Sequence, residues 1–498
     1  MKKLIYFTTL VASLTMVSTS CIEPDQEIFD NIPRDVVLSS TDPDVLASLA
    51  KSAYAPLRGT WGTHNSLWSM HEVASDEMVI TQKGPDWEDG GQWIRMHRHE
   101  YTANEQSINN AWEYLFGGIA QINILLTQFS ESEALSAELR TLRGLVYLWL
   151  IDAYGNVPII LETDDDSAPP TKSRQEIFNF IETEVTQSLP LLEKGRTYTR
   201  VNYYVGQMIL AKLYLNAEVY TGTARWQDAA DALEEVIGGP YSLEADFFAN
   251  FVTNNAGSSE NIFVINYDSD NAQGFNLAQM TLHYLNQNTY NLQEQPWNGY
   301  SSLEEFYNSF DENDVRINSF IEGPQFDAQG NRLLDISAEP GDPDGEPLTF
   351  TPEINELAPN AYRQAGVRVG KWEFAMGAPQ HLSNDYPVFR LSDALLMYAE
   401  AQFRLGDGAT AADYVNQVRA RAGIDPVSSV DADLLLAERG RELFAEGWRR
   451  SDLIRFGKYN DPWWEKPASP QFRNLFPIPQ TQGDQNQNLV QNPGYPSF

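Results

Sequence analysis

The sequence predicts a mainly α-helical protein, built as an array of helix pairs that an irregular, loop-rich insertion interrupts. Two stretches, about 40–240 and 386–460, carry apolar residues at helical spacing. Between them, residues 241–385 contain short strand-like runs and many turn residues. The chain has 498 residues, of which 42% are hydrophobic, so it has ample material for a large core.

Apolar periodicity and capping residues divide the helical stretches into segments. The first helix begins at Asp42 and Pro43, where a capping side chain precedes an early proline. Ala and Gly recur at the expected crossings over 399–422, as in tetratricopeptide-like pairs, although an ordinary helical hairpin has the same pattern. The predicted helices span about 43–57, 105–126, 135–154, 174–192, 202–220, 226–237, 387–405 and 410–422.

Residue composition identifies the non-helical parts of the chain. Strand-like runs occur at 262–265 and 367–369 within the insertion. Residues 61–100 are less regular and rich in Gly, Trp and His, and loops held on a rigid scaffold often carry function. We therefore expect binding residues in both regions.

The densest cationic segment of the chain lies at 438–458, where arginines alternate with carboxylates and with apolar residues at helical spacing. This pattern predicts two short helices joined at Gly447. Because arginine suits bidentate pairing with carboxylates at partly buried sites, we expect Arg449 or Arg455 to be paired inside the fold. The alternative is a surface helix with solvated charges.

The same segment resembles the C-terminal signature of the SusD/RagB family, surface glycan-binding lipoproteins of nutrient-uptake systems in Bacteroidetes. The end of the chain is similar to that family's terminus, and the resemblance covers nearly the whole chain. It implies a SusD-like helical fold without catalysis or cofactor, and a SusC-like TonB-dependent transporter as partner. The motifs are Arg439-x-Arg441-Glu442-Leu443-Phe444, Glu446-Gly447, Asp452-Leu453-Ile454-Arg455, Leu475-Phe476-Pro477-Ile478-Pro479 and Asn492-Pro493-Gly494-Tyr495.

Charge narrows the class of ligand. Against 69 Asp and Glu stand 34 Lys and Arg, a net charge of −35. Such a field repels nucleic acid, anionic membrane surfaces and polyanionic glycans. Aromatic residues beside carboxylates and amides suit neutral sugars, whose C–H faces stack on rings while their hydroxyls need hydrogen bonds. A neutral glycan is therefore expected, with β-glucan as the first choice.

The single cysteine, Cys21, follows a signal-peptide pattern. Residues 1–20 combine a basic start, an apolar run too short to span a bilayer and small residues before the cysteine. This looks like a lipobox, although Ser18 stands where leucine is usual, and simple secretion is the alternative. We expect Cys21 to be lipidated and residues 21–498 to form one SusD-like domain, anchored on the outer face of the outer membrane.

The best binding candidate is the aromatic stretch that precedes 303–307. Pro296 and Gly299 are expected to bracket a turn displaying Trp297, Asn298 and Tyr300, with Ser301 or Ser302 capping a following helix. The family resemblance implies that an aromatic from this region belongs to the sugar platform. The alternative is that Trp297 packs the insertion onto the core.

Four weaker candidates lie in the irregular region 61–100. Trp61 and Trp87 are further aromatic candidates, with His64 and Asp86 as hydrogen-bonding neighbours. For each of the two tryptophans, a place in the core is as good an explanation as contact with a sugar.

Motifs for common catalytic sites are absent from the sequence. It lacks Gly-x-Ser-x-Gly, a phosphate-binding glycine loop and His-Glu-x-x-His. His97-x-His99 would place two imidazoles on one side of a strand but has no clear third ligand, so no metal is expected. The competing interpretations are a secreted α-helical glycoside hydrolase and an assembly scaffold without sugar affinity.

Overall fold

A computed structural model describes residues 43–161, 168–335 and 346–498. The predicted signal peptide and Cys21 lie outside the described residues. Within those three ranges, no helix is both long enough and apolar enough to cross a membrane.

Helices dominate both stretches that the periodicity identified, so the mainly α-helical prediction is confirmed. Most of the predicted helices are found within a few residues of their expected ends. In chain order the α-helices are α1 Pro43–Tyr54, α2 Leu67–Val73, α3 Gln92–His97, α4 Gln106–Gln128, α5 Glu133–Ala153, α6 Arg174–Ser188, α7 Tyr203–Leu215, α8 Ala217–Thr221, α9 Trp226–Ile237, α10 Leu277–Thr281, α11 Asn286–Tyr290, α12 Glu304–Tyr307, α13 Leu391–Leu405, α14 Gly408–Ala422, α15 Ala432–Leu443, α16 Arg449–Arg455 and α17 Gln480–Gln485.

Successive helices pack as pairs. Helix α5 packs on α4 and α6, α7 packs on α9, and α13 packs on both α9 and α14. Gly144 of α5 allows a close approach, because a Cβ there would lie 2.8 Å from a methyl group of Val185 in α6. Ser173 begins α6 with a reciprocal capping box to Glu176. These pairs form the scaffold on which the insertion rests.

The strands are short and pair two by two. They are β1 Met78–Ile80, β2 Asn261–Ile265, β3 Tyr300–Ser302, β4 Phe320–Ile321, β5 Gly323–Pro324, β6 Leu334–Asp335, β7 Glu346–Pro347, β8 Thr349–Phe350, β9 Arg368–Val369 and β10 Tyr386–Arg390. The pairs β1–β3, β2–β10, β4–β9, β5–β8 and β6–β7 are all antiparallel.

Two local predictions at strands are wrong. The helix expected from residue 387 begins only at Leu391, because 386–390 are extended and pair with β2. Ser301 and Ser302 do not cap a helix: they belong to β3, and the N-cap of α12 is Leu303 without a side-chain bond. In both places pairing with a distant strand overrode the local propensity.

The predicted arginine segment forms two helices, α15 and α16, and lies inside the molecule. Arg390 is fully buried and reaches Glu260 at 2.6 Å, Glu442 at 3.0 Å and Glu446 at 2.6 Å. Burial raises the pKa of Glu442, but three arginines outweigh burial and hold it well below its ordinary value. The segment is thus the centre of a buried ionic network.

Both arginines singled out in the sequence are paired as expected. Arg449 makes a bidentate contact with Asp76, at 2.6 and 2.8 Å. Arg455 donates to Glu400 at 2.8 and 2.7 Å and to Asp452 at 2.7 Å. The alternative of a solvated surface helix is wrong, because Arg455 and its two partners are buried.

Candidate functional site

Five rings gather where the irregular region 61–100 meets the insertion. His64 lies at the centre, with ring centroids 5.3 Å from Trp87, 5.6 Å from Trp297, 5.8 Å from Tyr300 and 5.4 Å from Trp93. We call these five residues the aromatic cluster. The structure therefore brings together four sequence candidates from segments more than 200 residues apart.

Backbone contacts hold Trp87 and Trp297 against each other. Trp87 Nε1 donates to the Trp297 carbonyl oxygen at 2.7 Å. The ring of Trp87 covers Gly299, where a Cβ would lie 2.3 Å from a ring carbon, so only glycine fits. The two indoles are thus fixed before any ligand arrives, which reduces the ordering cost of binding.

The predicted turn at 296–299 is wrong. The amides of Trp297, Asn298 and Gly299 donate to the carbonyls of 279, 282 and 280 at 2.7, 3.0 and 2.8 Å. This pairing with the end of α10 pins the segment flat against the molecule. Trp297 remains half-buried, with part of its ring open to solvent.

Asn298 and Tyr300 lie behind the surface of the cluster. Asn298 is buried at a positive φ of 56°, and its amide binds the Arg363 carbonyl at 2.9 Å and the Arg368 guanidinium at 2.8 Å. The Tyr300 hydroxyl donates to Ser69 Oγ at 2.7 Å. Both side chains have their hydrogen bonds made within the protein, so they position the rings in front of them.

A polar rim borders Trp87. Asp86 is exposed, and its carboxylate accepts a hydrogen bond from the Tyr284 hydroxyl. Arg363 lies over the Tyr284 ring, 5.6 Å from its centroid. The sequence prediction did not include Tyr284, Arg363 or Trp93, because no local motif links them to the candidates.

Burial keeps the central histidine neutral. It lowers the pKa of His64 to about 4. His64 Nδ1 lies 2.8 Å from the Tyr300 hydroxyl, and its backbone amide donates to Asn276 at 3.1 Å. At neutral pH the cluster therefore carries no charge of its own, as suits an uncharged ligand.

Trp61 lies elsewhere, in the core. It is only 2% exposed, and its ring packs against His71, Trp149, Tyr386 and Trp448. Its neighbour Gly447 has φ of 80° and no room for a side chain. Trp61 is therefore a core residue, as the alternative interpretation of the sequence held, and does not belong to the aromatic cluster.

The two histidines of His97-x-His99 do not share a strand. His97 ends α3 and its Nε2 lies 2.8 Å from the Trp464 carbonyl, whereas His99 lies between Ala74 and Ser469 at 3.0 Å each. Across 43–161, 168–335 and 346–498, no group of three or more His, Cys, Asp or Glu is placed to hold a metal ion.

Behind the cluster, two buried carboxyl groups contact each other. Glu72 follows Ser69 on α2, and Glu77 precedes β1; one oxygen of each accepts a backbone N–H, from Gly447 at 2.7 Å and Ala445 at 2.9 Å. The second oxygen of each, Glu72 Oε2 and Glu77 Oε2, is buried without a hydrogen-bond partner among the described residues. Burial raises the pKa of Glu72 to about 7 and that of Glu77 well above its ordinary value.

We expect Glu77→Gln to stabilise the protein at alkaline pH. Both carboxyls bind protons more tightly in the folded protein than in the unfolded chain. The free energy of unfolding should therefore fall as the pH rises from about 4.5, the ordinary pKa of glutamate, through about 7, the pKa of Glu72 in the fold. Glutamine mimics the protonated acid, so the variant should gain about 1–3 kcal/mol at pH 9, the usual cost of an unmatched buried polar group.

Thermal unfolding from pH 5 to pH 9 measures this gain. Glu131→Gln, at an exposed position, is the control for loss of a carboxylate. Lys371, Glu446 and Arg449 also act on the pair and are unchanged in both variants. Parallel pH profiles for Glu77→Gln and wild type would contradict the raised pKa of Glu77.

Comparison with known proteins gives a consistent result. A family model described as the SusD family matches residues 259–495, and a second, described as starch-binding and associating with the outer membrane, matches residues 43–215. The starch-binding protein SusD of Bacteroides thetaiotaomicron is 26% identical over 490 residues, covering 88% of this chain and 86% of that protein. SusD-like protein P38 of Formosa agariphila is 23% identical and covers 99% of each chain.

Solved structures share the fold. Surface glycan-binding protein A from Bacteroides thetaiotaomicron, in complex with laminarihexaose, has a TM-score of 0.73 and 23% identity, covering 90% of this chain and 99% of that one. A laminarin-binding SusD-like protein has a TM-score of 0.72 and 23% identity, covering 92% and 100%. The similarity thus extends over nearly the whole architecture, scaffold and insertion together.

Proposed function

This chain belongs to the SusD family, and from that premise we propose that it captures a neutral glycan on the aromatic cluster and delivers it to a SusC-like TonB-dependent transporter. The observation that carries the proposal is the pair of fixed indoles, Trp297 and Trp87, with Trp297 partly open to solvent. Rings held in advance of binding offer stacking surface to the C–H face of a sugar.

The surroundings favour an uncharged ligand with hydroxyl groups. Asp86 and Tyr284 supply a carboxylate and a phenol at the rim, and both can bind hydroxyls. The net charge of −35 disfavours polyanions. β-Glucan remains our first choice of ligand, and the relatives' descriptions name laminarin, which is a β-glucan, and starch.

We propose that the protein binds the glycan without hydrolysing it. A glycosidase needs two carboxyls facing a sugar across an accessible cleft. Glu72 and Glu77 are a buried pair of carboxyls, and neither is more than 1% exposed. A sugar bound at the aromatic cluster therefore does not reach these two carboxyls.

Affinity electrophoresis tests the proposal directly. The purified protein should be retarded in gels containing at least one of laminarin, soluble starch, xylan and galactomannan, and not in gels containing alginate. A reducing-end assay on the same neutral polymers should show no new ends, whereas the hydrolase interpretation requires them. Retardation by alginate alone, or by none of the polymers, would overturn the proposal.

Delivery requires the protein to be held at the cell surface. We propose that Cys21 carries the lipid anchor on the outer face of the outer membrane. Stable anchoring takes more than one acyl chain. Co-isolation of a TonB-dependent transporter from solubilised outer membranes would identify the partner.

Cys21→Ala should therefore release the protein from the outer membrane or leave it unprocessed. Fractionation of cells into soluble and outer-membrane proteins, followed by immunoblotting, measures the difference. If the variant fractionates with the outer membrane as wild type does, lipidation at this residue is not the anchor.

A further inference from the structure

A second aromatic surface is formed by residues of α12, α15 and α16 together with the segment 461–463. A cavity of about 310 Å³ is walled by Phe306 and Trp463, and the bidentate pair of Asp76 and Arg449 forms part of its lining. Glu305 and Asp461 add two exposed carboxylates. We call this the Trp463 cleft. Its volume is within the range of small-ligand pockets.

A smaller cavity adjoins the Trp463 cleft. It measures about 30 Å³ and is lined by Trp464 together with Leu303, Ile354 and Glu305. Glu305 lines both cavities, and the neighbouring indoles of Trp463 and Trp464 each take part in one of them. The two cavities therefore form one uneven surface, with Glu305 between them and a second exposed carboxylate, Glu304, in the smaller one.

Two elements join this surface to the aromatic cluster. Helix α3 carries Trp93, in the cluster, and His97, whose ring lies 5.9 Å from that of Trp464. Four residues of helix span about 6 Å. Strand β3 carries Tyr300 and leads directly to Leu303 of the smaller cavity, about 10 Å away at the rise of a strand.

We propose that the two cavities continue the glycan site, so that the protein binds a polysaccharide chain at the aromatic cluster and again at Trp463 and Trp464. This inference rests on the proposed function and extends it from a short sugar to a long chain. The surface offers rings for stacking, carboxylates that accept from hydroxyls, and the exposed Lys458 ammonium, which donates.

Charge also favours an uncharged chain at this surface. In the larger cavity Asp76, Glu305 and Asp461 face Arg449 and Lys458, so the groups nearly balance. A polyanion would meet these carboxylates and the exposed Glu304 of the smaller cavity. A neutral polyol meets both donors and acceptors without a charge to desolvate.

The test compares long and short ligands of the same linkage. Binding of laminarin and laminaribiose, and of soluble starch and maltose, is measured by calorimetry for wild type, Trp464→Ala, Glu305→Ala and Trp297→Ala. We expect Trp464→Ala to weaken binding of the retained polymer about tenfold, and the matching disaccharide by less than twofold. Trp297→Ala should weaken both.

Controls separate loss of contact from loss of fold. Because Glu305 is exposed, Glu305→Ala should fold even if Trp464→Ala does not. It should also weaken binding of the polymer more than binding of the disaccharide. Glu312→Ala, another exposed carboxylate close in the chain but not in either cavity lining, is the matched control and should bind as wild type.

Three outcomes decide the inference. Selective loss of polymer binding in Trp464→Ala or Glu305→Ala supports the extended site. Wild-type affinity for the polymer in both variants, or equal losses for polymer and disaccharide, overturns it while the proposed function stands. If wild type binds neither polymer, the glucan form of the proposed function fails and the extended site fails with it.

Discussion

Replacing Arg455 with alanine should lower the free energy of unfolding by about 3–5 kcal/mol, the usual result of removing one partner from a buried ion pair. In the part of the chain that the structure describes, the variant leaves Glu400, which is fully buried, with only Arg404 as its ion-pair partner, and Asp452, which is 2% exposed, with only Arg439. Burial raises the pKa of Asp452, but Arg439 and Arg455 outweigh it and lower the pKa to about 2. Much of the loss is thus the cost of buried carboxylates that each lose one of two arginine partners.

Chemical denaturation of three variants measures this loss and its cause. Arg98→Ala removes a surface pair with Glu465, in which both side chains are at least 35% exposed, and should cost at most about 1 kcal/mol. The double variant Arg455→Ala/Glu400→Gln should recover part of the loss, because it removes one buried carboxylate that has lost a partner. An unchanged unfolding midpoint for Arg455→Ala would mean that the network does not hold α16 on the scaffold.

Trp297→Ala should remove most of the glycan affinity, by about 2 kcal/mol or more, roughly a 30-fold weaker dissociation constant. Trp297 is half-buried whereas the other two indoles of the aromatic cluster, Trp87 and Trp93, are buried, and Trp87 Nε1 donates to the Trp297 carbonyl. Because that bond uses the backbone, alanine keeps it and the fold should be retained.

Calorimetry with the polymers retained in affinity gels measures the effect. Trp226→Ala removes another half-buried indole, on α9 beneath Arg404, and should leave binding unchanged. Wild-type binding should depend little on salt, since a neutral sugar releases no counterions, and it should quench or blue-shift tryptophan emission. Wild-type affinity in Trp297→Ala would place the sugar elsewhere.

The helical array was predictable because its signal is local. Apolar residues at helical spacing fix which face of a segment is buried, so α4, α5, α9 and α14 begin and end close to their expected residues. That Arg449 and Arg455 each pair with a carboxylate was predictable, because arginines among apolar residues need carboxylates as buried partners. Their partners, Asp76 and Glu400, were not, because they lie far away in the chain.

The two strands β3 and β10 were not predicted, because the signal for them is not local. Residues 386–390 and 300–302 became strands because segments more than 100 residues away offered free backbone groups, and nothing near them in the chain records that pairing. Likewise, Trp61 and Trp87 have similar sequence surroundings, yet one is in the core and the other lies in the aromatic cluster.

The sequence alone determined the helical architecture, the family, the sign of the charge and the residue types at the site, because each depends on composition, period or a contiguous motif. Only the tertiary structure decided which rings meet. His64, Trp87 and Trp297 come together through the pairing of β1 with β3 and the docking of 297–299 on α10. Those contacts depend on distances between remote segments, which a sequence pattern with a period of a few residues does not encode.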